Sequence, residues 1–189
     1  GGCRIPAGVL IDTEPLQTLP PRLLAEGMAE LVKMAATSDA ALFGRLEKDP
    51  YGQLEKSIES ALRIKSDVVR QDPTEQGLRA VLNFGHTVGH AIEAACDGKY
   101  YHGECVAMGM MYTSSGQARE RLSSLLGRLG LPLRDPFDTD TLMHFALMDK
   151  KKSERGYRIV CVNEIGSFEF REVPSDGLRA IIESRKNEE

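Results

Sequence analysis

Apolar residues recur every three or four positions along most of the chain, and only after Lys152 does the repeat shorten to two. The first spacing is that of a helix with one buried face and the second that of a half-buried strand. Leu19-Pro20-Pro21-Arg22 opens a predicted helix that runs to about Ala36, its prolines suited to a first turn. Ser38-Asp39 can cap a second helix ending near Asp49-Pro50, and a third runs from about Tyr51 to Arg70. Asp72-Pro73-Thr74-Glu75 breaks the pattern. A long helix is then predicted from about Gln76 to Cys96, closed by Asp97-Gly98. Further helices are predicted from about Glu104 to Arg121, on to Leu129 before Gly130-Leu131-Pro132, and from Thr139 to Met148 behind Asp138. Tyr157 to Val162 and Ser167 to Arg171 alternate about a turn at Asn163–Gly166, the pattern of a β-hairpin, and Ser175 to about Arg185 reads as a terminal helix. One β-branched run, Ala7 to Asp12, reads as a lone strand, which needs a partner sheet elsewhere. The fold class is therefore mainly α, a multi-helix domain with one small β-hairpin.

A length of 189 residues suits one well-buried domain. The net charge of -4 gives no electrostatic bias toward nucleic acid or an anionic membrane. No apolar run approaches the roughly 20 residues that span a bilayer. The four cysteines, Cys3, Cys96, Cys105 and Cys161, form no C-x-x-C pair, which points to a reducing, cytoplasmic setting with incidental thiols. The opening Gly1-Gly2-Cys3 lacks a Met and reads as a cut end.

Candidate chemistry concentrates in the long predicted helix. Arg79, Asn83, His86, His90 and Glu93 are spaced 4, 3, 4 and 3 apart, so a helix would stack them on one face. Leu78, Leu82, Gly85, Val88, Gly89 and Ile92 fall on the other side. Glycine inside a helix costs about 1 kcal/mol against Ala, so two of them suggest a second backbone packed closely there. A solvated face is usually written in Lys, Glu and Gln. Arg, Asn and two His are instead suited to directed hydrogen bonds and metal ligation. His86 and His90, four apart, could share a metal, with His102 returning to the stripe from the next helix. Thr87 stands where H-E-x-x-H needs Glu, so a zinc-protease site is not indicated. His plus a carboxylate favours zinc or a similar divalent ion, and the candidate carboxylate is Glu30. By spacing alone Glu30 and Lys33 read first as an ordinary intrahelical ion pair, and His144, between Met143 and Phe145, reads as structural.

Taken together, Gly27-Met28-Ala29-Glu30-Leu31-Val32-Lys33, the string Leu82-Asn83-Phe84-Gly85-His86-Thr87-Val88-Gly89-His90, and His102-Gly103-Glu104 resemble the 3-dehydroquinate synthase family of sugar-phosphate cyclases. Asp149-Lys150-Lys151 and Glu164-Ile165-Gly166 fit the same pattern, and the resemblance runs from about Val9 to the end. It implies that Glu30, His86 and His102 hold a zinc or cobalt ion. His90, Lys33 and Asn83 would act at the catalytic centre, and Lys65, Arg79 and Lys150 would bind substrate. The implied reaction converts 3-deoxy-D-arabino-heptulosonate 7-phosphate, a phosphorylated keto acid of the shikimate pathway, to 3-dehydroquinate and phosphate, with NAD taking and returning a hydride. The family's Gly-rich NAD-binding half has no counterpart here, so the resemblance implies that residues 1–13 are a junction remnant of that half, that 14–189 are the helical metal- and substrate-binding domain, and that the isolated chain is inactive; it also implies a homodimer at full length. Other readings are a cyclase of neutral heptulose phosphates, a metal-dependent polyol dehydrogenase (where Asp is typical in place of Glu30), and a non-catalytic helical interaction module.

Overall fold

The computed structural model describes residues 8–150 and 156–188, apart from the side chains of Asp149 and Lys150. The described elements are α1 (Pro21–Ser38), α2 (Ala40–Lys48), α3 (Leu54–Gln71), α4 (His86–Ala95), α5 (His102–Tyr112), α6 (Gly116–Arg128), α7 (Thr139–Lys150), β1 (Tyr157–Cys161), β2 (Glu169–Val173) and α8 (Ser175–Asn187). This is the helical domain with one hairpin that the periodicity predicts. The Asp39 carboxylate accepts the Leu42 N–H and caps α2, and Pro21 opens α1, as their residue types lead one to expect.

α5 lies at the centre. Every residue from Gly103 to Tyr112 is buried, the pattern of a helix enclosed on all sides. On one flank Val106 and Met110 join a core with Ala29, Val32, Phe43 and Leu126. On the other, Cys105 and Met108 meet Val88, Ile92, Leu142, Ile159 and Ile182.

Four expectations are corrected. Residues 8–12 form no strand: Leu10 is 97% exposed, and no sheet edge among the described residues accompanies it. The long helix over 76–96 is two pieces, a 3-10 turn at Leu78–Asn83 and then α4, with Gly85 between them in the left-handed region (φ 78°). Asp72 starts this break by accepting the N–H groups of Gln76, Gly77 and Arg79 at 3.0, 2.8 and 2.9 Å, which holds its carboxyl below the usual range. The three-residue rise of a 3-10 turn resembles helical spacing closely enough to hide the break in the sequence. α5 stops at Tyr112 instead of Arg121. There the Thr113 carbonyl accepts the Val162 N–H (3.0 Å) and the Ser115 N–H donates to the Val162 carbonyl (3.2 Å), so the chain pairs with the hairpin. Lastly β2 begins at Glu169, two residues later than predicted, paired antiparallel with Cys161. The Gly166 N–H donates to the Ala36 carbonyl (2.8 Å), so the connecting loop docks on α1 and widens.

The glycines expected to mark a close backbone approach do so. A Cβ on Gly109 of α5 would overlap the Gly85 carbonyl oxygen and stand 2.8 Å from Gly89 N. One on Gly89 would stand 3.0 Å from the Cys105 carbonyl oxygen and 3.2 Å from Val106 Cα. A Cβ on Gly103 would likewise overlap the Glu26 carbonyl oxygen of α1. Backbone cannot yield as a flexible side chain can, so Gly109→Ala is expected to lower unfolding stability by about 1–3 kcal/mol or more. Gly44→Ala, where an added methyl meets nothing within 4 Å, should instead gain up to about 1 kcal/mol. Urea unfolding midpoints of the two variants check this, and a Gly109→Ala chain as stable as the parent would contradict it.

Candidate metal centre

Three elements deliver the candidate ligands: α1 brings Glu30, the first residue of α4 is His86, and the first residue of α5 is His102. The α4–α5 contact sets His86 beside His102, with ring centroids 5.2 Å apart. Glu30 faces both from α1, its Oε1 lying 3.8 Å from His86 Nε2 and 3.9 Å from His102 Nε2.

Lys33, only 3% exposed, donates from Nζ to Glu30 Oε2 at 2.6 Å. The intrahelical ion pair is therefore real, but its lysine is buried. Burial pushes the Lys33 ammonium below its usual range, partly offset by Glu30, and the nearby charge of Lys65 pushes it the same way as burial. Burial alone would raise the Glu30 carboxyl. The Lys33 charge and hydrogen bond, then His86 and His102, outweigh that and hold it low. With Oε2 taken by Lys33, Glu30 Oε1 is buried without a hydrogen-bond partner. Such an atom forfeits its hydration with no return, about 1–3 kcal/mol, unless something occupies the space before it.

The two imidazoles indicate what that is. His86 Nδ1 lies 3.1 Å from the Phe84 carbonyl oxygen, and His102 Nδ1 lies 2.9 Å from Glu93 Oε2. Both partners are acceptors, so each Nδ1 carries a proton, which leaves Nε2, the nitrogen facing Glu30 Oε1, as the atom through which each ring can ligate. Burial first, then the Lys33 charge, push the His86 pKa down to about 4, so its imidazole is neutral near pH 7. Glu30 Oε1 and the Nε2 atoms of His86 and His102 converge on one point, an arrangement that suits a cation. One oxygen and two nitrogen donors suit zinc or a similar divalent ion. Tetrahedral ligands of zinc stand about 3.3–3.5 Å apart, a few tenths of an ångström inside the observed distances. The residues present fit such an ion.

His90, one turn beyond His86, is exposed, with its ring 5.2 Å from that of His86 and 5.9 Å from that of His102. Nitrogens of His86, His90 and His102 all lie within 4.8 Å of one another, so the H-x-x-x-H pair is a geometric rival. The orphaned Glu30 oxygen favours the set containing Glu30, because the rival leaves that oxygen unsatisfied.

His86, His90 and Asn83 also line a cleft of about 390 Å³, together with Glu75, Tyr157 and Arg158. Asn83 Nδ2 donates to Glu75 Oε1 at 2.9 Å. Arg79 Nη1 donates to the Pro73 carbonyl at 3.0 Å, and Nε lies 4.0 Å from Glu75 Oε2. Arg79 and Asn83 thus belong to the 3-10 turn and not to the helix of His86, a correction to the single stripe. Lys65 is exposed on α3. The side chain of Lys150 lies outside the described residues, as does all of Lys151.

Glu75 and Arg22 are absent from the sequence-based candidates, and Glu93 is named in the stripe without a role. Glu75 sat in a breaker segment and Glu93 at the end of the stripe, so only position in space could promote them. The Arg22 guanidinium donates to both oxygens of Glu104, each at 2.7 Å, and Glu104 also accepts the Tyr101 N–H at 2.8 Å. These bonds hold the Glu104 carboxyl low, the Arg22 bond foremost. The His102-Gly103-Glu104 string is accounted for: a facing imidazole, a residue small enough to meet α1, and a cap tied to α1.

Residues 27–152 match the family model described as 3-dehydroquinate synthase C-terminal. The chain is 39% identical over 186 residues to 3-dehydroquinate synthase of Saccharophagus degradans, covering 88% of this chain and 51% of that protein. It is 43% identical over 171 residues to the synthase of Symbiobacterium thermophilum, covering 80% and 48%. The chain thus spans about half the length of the curated relatives it matches. Among solved structures, 2-epi-5-epi-valiolone synthase of Streptomyces hygroscopicus subsp. jinggangensis, with NAD+ and Zn2+ bound, superposes with a TM-score of 0.79 at 22% identity, over 92% of this chain and 54% of that one. At that identity the likeness is one of fold. A 2-deoxy-scyllo-inosose synthase complexed with carbaglucose-6-phosphate, NAD+ and Co2+ superposes with a TM-score of 0.76 at 26% identity, over 92% and 54%. By the family match and by its identity to relatives across most of its length, the chain belongs to the 3-dehydroquinate synthase family, in the region of that family's C-terminal domain.

Proposed function

We propose that this chain is the metal- and substrate-binding part of an enzyme that converts 3-deoxy-D-arabino-heptulosonate 7-phosphate to 3-dehydroquinate and phosphate. The observation that carries the reading is the buried, unpartnered Glu30 Oε1 faced by the Nε2 atoms of His86 and His102. Relatives named 3-dehydroquinate synthase support the reaction, and a neighbour that binds a phosphorylated sugar analogue with NAD+ and Co2+ supports the kind of substrate and cofactors. Glu30, His86 and His102 would hold the zinc or cobalt ion. When bound, such an ion lowers the pKa of the alcohol to be oxidised and polarises the resulting ketone.

The remaining roles fall to this chain's own side chains. Lys33 fixes the Glu30 carboxylate and adds a buried positive charge beside a substrate oxygen. His90, exposed at the cleft, is suited to relay a proton near neutral pH. Asn83, steadied by Glu75, orients a substrate hydroxyl. Arg79 and Lys65 bind the substrate carboxylate, Arg79 with a fork able to grip both oxygens, and Lys150 adds a further anion contact. The NAD that takes and returns the hydride would be held mainly by sequence outside this chain, in a cytoplasmic homodimer.

His86→Ala and His102→Ala should each abolish zinc retention, while His90→Ala should keep the ion and lose turnover when joined to an NAD-binding half. Metal content after dialysis decides this, and loss from His90→Ala with retention by His102→Ala would sink the assignment. A hydrogen bond to a charged group is worth about 1.5–3 kcal/mol, so Lys65→Ala should lower kcat/KM for the keto acid phosphate about 10- to 100-fold. Faster turnover of sedoheptulose 7-phosphate than of the keto acid phosphate would instead favour a cyclase of neutral heptulose phosphates.

A further inference from the structure

Glu93 lies two turns after His86, near the C-terminal end of α4, and His102 is the first residue of α5. The loop between them folds α5 back along α4, so the end of one helix meets the start of the next. Glu93 Oε2 there lies 2.9 Å from His102 Nδ1, while the Nε2 of the same ring faces Glu30 Oε1 at 3.9 Å. The two nitrogens leave the imidazole on different edges, so Glu93 sits behind His102 and not between it and the ion position.

The two histidines are held differently. His86 is 13% exposed, packed at the helix junction, with its Nδ1 on a backbone carbonyl that cannot turn away. His102 is 39% exposed, so packing restrains its ring less than that of His86. A side-chain carboxylate is what aims it. Burial does for His86 what a charged hydrogen bond must do for His102.

From this asymmetry we infer that Glu93 is a positioning residue that aims His102 Nε2 at the metal position and, by its negative charge, strengthens that nitrogen as a donor. The inference rests on the metal reading above and deepens it. A carboxylate or carbonyl on the outer nitrogen of a ligating histidine fixes its tautomer and orientation, and removing it typically weakens metal binding about 10- to 100-fold. Glu93 itself is about two-fifths exposed, so its loss opens no cavity.

The test uses the 189-residue chain at one pH, with Zn2+ affinity measured against a competing chromophoric chelator and the visible spectrum recorded with Co2+. Glu93→Ala should weaken Zn2+ binding about 10- to 100-fold and change the Co2+ band, with the melting temperature of the metal-free chain unmoved. Glu93→Gln keeps an oxygen for Nδ1–H without the charge, so it should rescue part of the affinity. Parent-like affinity and spectrum in Glu93→Ala would overturn the inference. So would an affinity loss accompanied by a lower metal-free melting temperature and an unchanged Co2+ band, the signature of a merely structural role. Should Glu93→Ala fail to fold, Glu93→Gln decides alone: an affinity several-fold weaker supports the inference and an equal one overturns it. A parent chain that binds no Zn2+ would overturn the metal reading itself, and this inference with it, whereas an intact parent site with an indifferent Glu93 overturns only the latter.

Discussion

The backbones of α4 and α5 touch, and the candidate site depends on it. Gly109 has no room for a Cβ against Gly85 and Gly89, and Gly89 has almost none against Cys105 and Val106. Any larger residue on this seam would move the two helices apart, and His86 and His102 each begin one of them. The same contact leaves α5 enclosed on every side, so its position is fixed by both halves of the core at once. Close-packed interiors transmit such displacements because they have few voids to absorb them. α1 is held to this pair by a second glycine contact, Gly103 on Glu26, and by the Arg22–Glu104 fork.

On that frame the electrostatics follow from one buried lysine. A buried ammonium is tolerated only with a close partner, and Lys33 takes Glu30 Oε2 for that purpose. The division of the carboxylate leaves Oε1 to two imidazoles whose outer nitrogens are already occupied, by Phe84 and by Glu93. Lys33, Glu30 and Glu93 together carry one net negative charge, so a divalent ion would leave the centre positive, in keeping with the anionic substrate proposed.

The helices and hairpin were legible because their burial is periodic, whereas the set proposed for the metal, Glu30, His86 and His102, comes from the family resemblance; spacing alone favours His86 with His90. The errors have physical causes. A 3-10 turn spaces residues almost as a helix does, so Arg79 and Asn83 looked like part of the helix of His86, and only the left-handed Gly85 divides them. Thr113 to Ser115 looked helical because local propensity carries no trace of the hydrogen bonds to Val162, 47 or more residues away. Glu93 and Glu75 are ordinary residues by type, and their roles come from what lies across a helix–helix seam or a turn. The run over 7–12 has the β-branched composition of a strand, but strand formation needs an edge to pair with, and the described residues offer none there.

The most direct measurement is a crystal structure of the zinc-loaded chain with an anomalous difference map at the zinc edge. The account expects one peak about 2.0–2.2 Å from Glu30 Oε1, His86 Nε2 and His102 Nε2, with the His90 ring outside bonding distance. An ion bound by His86, His90 and His102 with Glu30 Oε1 left uncoordinated would contradict it.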